Sequence, residues 1–175
     1  GQARAFETVR KHLQSNTFRL VVSAGFAGAA RPGFKVGDLV AASKVIDAST
    51  GRWLTQGNGA PSNGSSIVSG TVLTCARPLL KPEEKLRAGV DYGAVAVDME
   101  TYGVARAAQE AGVPWLSLRA ILDPAEEILP VGSFGQGFKL LANPLRWRVL
   151  SNFLAAMEKA SRSLAVGLAV SLADK

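Results

Sequence analysis

The 175-residue chain is poor in the residue types that most often build covalent staples and metal centres: it has one cysteine and one histidine. The lone Cys75 cannot form an internal disulfide or a cysteine-based zinc site, so a reducing cytosol is the default compartment. The lone His12 means that a Ser-His-Asp triad would have to run through that one residue. It also excludes a metal centre built on several histidines. No apolar run approaches the roughly 20 residues that span a bilayer. No metal and no cofactor is expected.

Charge is lopsided. Twenty Lys and Arg face 14 Asp and Glu, for a net charge of +6 and a pI near 9.8. Such a balance can mark a nucleic-acid binder, but the basic residues are scattered except near Lys139, Arg146, Arg148, Lys159 and Arg162. No nucleic-acid motif accompanies them, so no nucleic-acid partner is expected. The 47% hydrophobic content and mean hydropathy of +0.15 argue for a well-buried core. The length fits one globular domain over residues 1–175.

Strand-like and helix-like segments alternate. "GQARAFETVRKHL" carries Ala5, Phe6, Val9 and Leu13 at helical spacing, and "FRLVVSAG" reads as a short buried strand. "GFAGAARPGFKVGD" reads as a glycine-rich turn, "DLVAASKVI" as a strand, and "GRWLTQGNGAPSNGSS" as a polar hairpin or loop. "SIVSGTVLTCA" follows as a strand, then "KPEEKLRAG" as a short helix with Pro82 near its start. "GAVAVD" is a strand and "METYGVARAAQEAG" a helix closed by Gly112. "VPWLSLRAILD" is a strand, "PAEEILPVGSFGQG" a loop, and the segment from "NPLRWRVL" onward a long C-terminal helix or helix pair. This alternation predicts a three-layer α/β fold: a mostly parallel or mixed central sheet with flanking helices. In the C-terminal segment, Leu145, Val149, Phe153 and Leu154, then Ala160, Leu164 and Leu168, form an amphipathic face suited to packing on the sheet. The alternative use of that region is a membrane or partner contact through Arg146, Trp147 and Arg148.

Ligands of open α/β sheets bind beyond the carboxyl ends of strands, and three segments are expected there: "SAGFAG", "VDME" and "LRAILD". Each candidate has a purely structural alternative. Gly25 and Gly28 either form a tight turn or let a ligand approach the backbone. Asp98 can cap a helix with Glu100 in its first turn. Asp123 can cap a helix opening at Pro124, or act as a general acid, because a carboxyl at the edge of an apolar pocket has a raised pKa. Glu126 and Glu127 read as solvated acids, and Cys75 as a small buried residue.

"VVSAGFAGAARPGFKVGDLVAASKVID" and "AVAVDMETYGVARAAQEAGVPWLSLRAILD", in that order, resemble the nucleoside phosphorylase and nucleosidase superfamily. Its patterns are a glycine turn leading to "VGDLV", a "V-E-M-E" segment and an "R-A-I-S-D" segment. "LTCARPLLKPEEK", "AVDMET", "LRAILDPAEEILP" and the basic, leucine-rich tail look most like its hopanoid-associated phosphorylase branch, implicated in releasing adenine from adenosylhopane.

The resemblance implies a purine nucleoside substrate, with Asp123 as the acid at purine N7. Glu100 would bind the ribose hydroxyls and Met99 would pack on the sugar face. Ala24, Gly25, Phe26 and Ala27 would line the sugar and nucleophile side, and Arg119 would be a structural ion-pair partner. Asp98 stands where the family has its first glutamate. Phosphorylases of the superfamily hold phosphate with an arginine before the glycine turn and a Ser or Thr within it. Ser23 and Phe26 stand there instead, which favours water as nucleophile. The resemblance further implies roughly fifty upstream residues, with opening strands and the family's water-activating glutamate. It also implies a homodimer and a cytoplasmic location, with the tail making peripheral contact with the inner membrane.

Overall fold

A computed structural model describes residues 1–56, 67–128 and 147–173. Its elements are α1 (Gln2–Ser15), β1 (Val21–Ala29), β2 (Leu39–Asp47), β3 (Trp53–Thr55), β4 (Ile67–Thr74) and α2 (Pro82–Tyr92). β5 (Ala94–Asp98), α3 (Thr101–Glu110), β6 (Trp115–Asp123) and α4 (Trp147–Ala173) complete the order. The polar segment 57–66, the loop after Ile128, and Leu145, Arg146 and Lys139 of the tail lie outside the described residues, as do the side chains of Trp147 and Val149.

The sheet is mixed and flanked by helices, as the alternation predicts. Its strand order is β3-β2-β4-β5-β1-β6, and a further β2–β6 pairing bends it back on itself. β2 makes this possible by sharing one edge between two partners. Leu39–Ala41 pair antiparallel with β6, while Lys44–Ile46 pair with β3. Ser43 has no partner on β4, a bulge that bends the strand between the two halves.

Burial follows from this closure. Leu116, Leu118, Ala120 and Ile121 of β6 are fully buried, because helices cover both faces. α4 supplies Ala160, Leu164 and Leu168 to a cluster with Leu39, Ala41, Leu118 and Ala120. α3 supplies Tyr102, Ala105 and Ala108 to a second cluster with Val40, Val45, Val72 and Ile121. α1 packs on α3 through its Ala5, Phe6, Val9 and Leu13 stripe, which is only half-buried. α2 begins with Pro82 and a capping box in which Glu84 accepts from the Lys81 amide. Its Gly89 rests directly on β1, where a Cβ would fall 2.0 Å from the Ala30 carbonyl oxygen.

Two expectations change here. The glycine-rich stretch is a turn only from Ala30 to Asp38: β1 runs unbroken through Gly25 and Gly28 to Ala29, because it pairs with β6 from Val21 to Gly28 and with β5 at Gly28 and Ala29. No helix opens at Pro124. The chain forms a short turn closed by the Glu127 amide on the Pro124 carbonyl, so Asp123 caps nothing and its carboxylate is used elsewhere. Gly112, at φ 69, does end α3, just beyond Ala111. The described part of the C-terminal segment, Trp147–Ala173, is one helix of 27 residues.

Candidate active site

The three strand-end segments meet on adjacent strands. β1 lies between β5 and β6, with Gly28 opposite Val97 on one side and Asp123 on the other. Up to Ala27 the register with β6 is regular, pairing Gly25 with Arg119 and Ala27 with Ile121. Gly28 then pairs with Asp123, leaving Leu122 as an extra residue. Alternation alone would put Asp123 on the face of Arg119 and Ile121. The bulge moves it to the opposite face, alongside Gly28.

The two faces of β1 differ sharply. On one, Ser23 and Ala27 are buried and Gly25 backs onto Arg119, with an added Cβ only 2.9 Å from the Arg119 Nη1. On the other, Ala24 is exposed and Phe26 and Gly28 are partly accessible, although the strand is internal to the sheet. That open strip leads to Asp123, whose Oδ1 lies 2.9 Å from where a Gly28 Cβ would be. Of the four strand residues expected to line a sugar, Ala24 and Phe26 are thus the ones on the open face. Ala27 belongs to the core packed on α3.

Asp123 is 7% exposed. Burial pushes its carboxyl above the ordinary carboxylate range, while Lys85 pulls in the opposite direction through a hydrogen bond and its charge. The Lys85 Nζ donates to Asp123 Oδ2 at 2.6 Å, to the Pro124 carbonyl at 2.6 Å and to the Glu127 carbonyl at 2.7 Å. Sequence reasoning missed Lys85, since a lysine in "PEEKL" reads as solvated. The available signal was its position on the Lys85–Ala88–Gly89 stripe, the buried face of α2.

Behind the strip lies a second buried ion pair. Asp98 accepts from Thr101 (amide and hydroxyl), from the Thr74 hydroxyl and from the Arg119 Nε at 2.9 Å. The Arg119 Nη2 also donates to Ser23 at 2.8 Å and Thr101 at 2.7 Å. Asp98 therefore caps α3 through its side chain, because it satisfies the Thr101 amide. Glu100 occupies the N-cap position without a capping bond. Its side chain is 46% exposed, and Met99 before it is partly accessible.

His12 sits on the exposed face of α1, its Nδ1 donating to the Thr8 carbonyl, and takes no part in this cluster. Among the described residues no group of three or more His, Cys, Asp or Glu side chains could hold a metal ion. A surface cavity of about 550 Å³ lies between the β2–β3 hairpin and α3, lined by Trp53, Leu54, Tyr102 and Arg106 among others. It includes none of Asp123, Lys85 or Glu100.

The fold is shared with solved structures. The chain superimposes over 100% of its length on 77% of a *Helicobacter pylori* 5′-methylthioadenosine/S-adenosyl homocysteine nucleosidase, with TM-score 0.77 and 18% identity. The native futalosine hydrolase of the same organism gives TM-score 0.76 and 19% identity over 100% of this chain and 76% of that one. A *Campylobacter jejuni* 5′-methylthioadenosine/S-adenosyl homocysteine nucleosidase gives TM-score 0.65 and 18% identity, over 91% and 77%. No curated protein matches in sequence. Residues 53–142, just over half of the chain, match the phosphorylase superfamily. The chain therefore belongs to the phosphorylase superfamily.

Proposed function

We propose that the protein cleaves the N-glycosidic bond of a purine nucleoside by hydrolysis, with Asp123 as the acid that protonates the leaving base. The observation that carries this reading is the placement of Asp123. Its carboxyl is buried, raised in pKa and bulged onto the open face of β1 beside Gly28. Proton transfer from Oδ1 to purine N7 lets the glycosidic electron pair leave with the base, and water adds as hydroxyl to the sugar carbon while its other proton passes to solvent. Ala24 and Phe26 would floor the sugar site, and Met99 and Glu100 would flank it, with Glu100 on the ribose hydroxyls.

Hydrolysis is favoured over phosphorolysis by what stands at the phosphate positions. Ser23 is buried, and its hydroxyl accepts from Arg119. Phe26 contributes no hydroxyl and packs beside the α4 cluster. A phosphate dianion would lack the charge-assisted bidentate partner that usually holds it.

The substrate we propose is a 5′-modified adenosine whose substituent is hopanoid-like, releasing adenine. Its support is the resemblance of "LTCARPLLKPEEK" and "LRAILDPAEEILP" to the hopanoid-associated branch. A large apolar substituent also fits a peripheral membrane contact, for which the exposed Val166, Val170 and Leu172 of α4 are available beside Arg162. No described helix is long and apolar enough to cross a membrane.

The test is a panel of purine nucleosides incubated with the full-length protein, assayed for free base with and without phosphate. Release of adenine independent of phosphate is expected, and Asp123→Asn should lower it by about 10²–10⁴-fold while the protein stays folded. Near-wild-type turnover of that variant would sink the assignment. Ribose-1-phosphate product, with a rate rising with phosphate, would reverse the choice of nucleophile.

A further inference from the structure

Lysine is among the residues least often fully buried, and it is tolerated there only when paired. The Lys85 side chain is 0% exposed, and its three ammonium hydrogens match three acceptors: Asp123 Oδ2 and the carbonyls of Pro124 and Glu127. The carbonyls fix the direction of the ammonium, so the carboxylate oxygen it holds is fixed as well. Gly89, one turn further along α2, lets the helix rest on the end of β1, and this close approach brings Lys85 under the end of β6.

We infer that Lys85 is a positioning residue for the leaving-group acid, locking Asp123 Oδ2 and the following turn so that Oδ1 alone faces the base. The inference rests on the reading of Asp123 given above. Its chemical consequence follows from the proton balance. When the Oδ1–H bond breaks and the new N–H bond forms on the purine, the carboxylate left behind is neutralised by an ammonium that keeps all three of its own protons. Lys85 therefore makes Asp123 a stronger acid than burial alone would allow. It also holds the proton at one oxygen, where transfer is short.

The experiment compares Lys85→Met, Lys85→Arg, Asp123→Asn and Lys85→Met/Asp123→Asn in the full-length protein. Folding is checked by circular dichroism and kcat and KM are measured across pH. In Lys85→Met, kcat should fall on the order of 100-fold with KM nearly unchanged, since a displaced reacting group costs about that much. The high-pH limb of the rate profile, where the acid form of Asp123 is lost, should move upward by about one to three units. Lys85→Arg keeps the charge, so its limb should stay in place. Its planar fork cannot gather three acceptors on one nitrogen, so kcat should still drop. The double variant should be no slower than Asp123→Asn alone.

An unmoved limb in folded Lys85→Met, or losses that multiply in the double variant, would overturn the inference. If Lys85→Met does not fold, Lys85→Arg decides: wild-type kcat or a shifted limb in that variant refutes the positioning role. An active Asp123→Asn would instead refute the reading of the acid itself.

Discussion

The buried Asp98–Arg119 pair is the feature whose removal should be felt most by the fold. Consider Arg119→Met, which keeps the length of the side chain and removes its charge and donors. The Asp98 side chain is 1% exposed and that of Arg119 3%, so the remaining carboxylate would sit uncompensated out of water. Breaking a buried pair from one side costs about 3–5 kcal/mol. Asp98 would retain its donors from Thr74 and Thr101, which places the expected loss near the lower end, about 3 kcal/mol. For a chain of this length that corresponds to a melting point lower by roughly 6–12 °C. Denaturant unfolding of both proteins measures it directly, read as a change in midpoint at constant slope. The sign of a second substitution sharpens the test. Asp98→Asn added to Arg119→Met keeps an oxygen for the Thr101 amide and removes the orphaned charge. The double variant should therefore be more stable than Arg119→Met alone, by about 1–2 kcal/mol. A loss below about 1 kcal/mol in Arg119→Met, or a double variant less stable than the single, would refute the view that charge pairing dominates here.

Two further predictions follow from close approaches and burial. Gly28→Ala would set a methyl 2.9 Å from Asp123 Oδ1 and 3.3 Å from Val97 Cγ2, so the carboxylate must move. Steady-state assays should show kcat lower by about 100-fold, with a stability loss of about 1–3 kcal/mol by denaturant titration; wild-type kcat would contradict the assignment of Oδ1. Burial pushes the Cys75 thiol up to about 11, which leaves about one thiolate per thousand molecules at pH 8. An aromatic disulfide reagent should leave the native protein unmodified and label it promptly in guanidinium, and prompt labelling of native protein would contradict the buried placement.

Periodicity made most elements legible before the fold was seen. β2, β4, β5 and β6 are runs of Val, Ile, Leu and Ala bounded by polar or glycine-rich stretches, and α1 and α3 carry clear apolar stripes. The glycine-rich half of β1 was not legible. Local composition favours a turn at "GFAG", and what overrides it is pairing with β6 throughout and with β5 at Gly28. In that setting the missing side chains make room for Arg119 and Asp123. The same competition explains Asp123. Asp followed by Pro is a good helix start in isolation, but its carboxylate is taken by a lysine 38 positions earlier in the chain, a contact no local window contains.

The position of the proposed acid therefore depends on two non-local devices. In a regular strand, side chains alternate, and Asp123 would share a face with Arg119 and Ile121, where the Asp98 cluster and the α3-facing core already fill the space. One unpaired residue, Leu122, reverses that outcome. Leu122 then packs toward α4, and the bulge turns Asp123 toward Gly28 and the accessible strip of β1. A bulge alone would leave a carboxylate buried without a partner, at a cost that favours refolding of the turn or neutralisation of the acid. Lys85 removes that cost and ties the turn in the same three bonds. The bulge thus determines which face the acid serves, and the lysine determines which oxygen it offers. Inserting one alanine between Ala27 and Gly28 would give Leu122 a partner, restore regular alternation and return the carboxyl to the Arg119 face. Such a variant should lose base release as completely as Asp123→Asn, and loss of activity in a folded insertion variant is the result to check. A folded insertion variant that still releases base would mean that the acid reaches the substrate without the bulge.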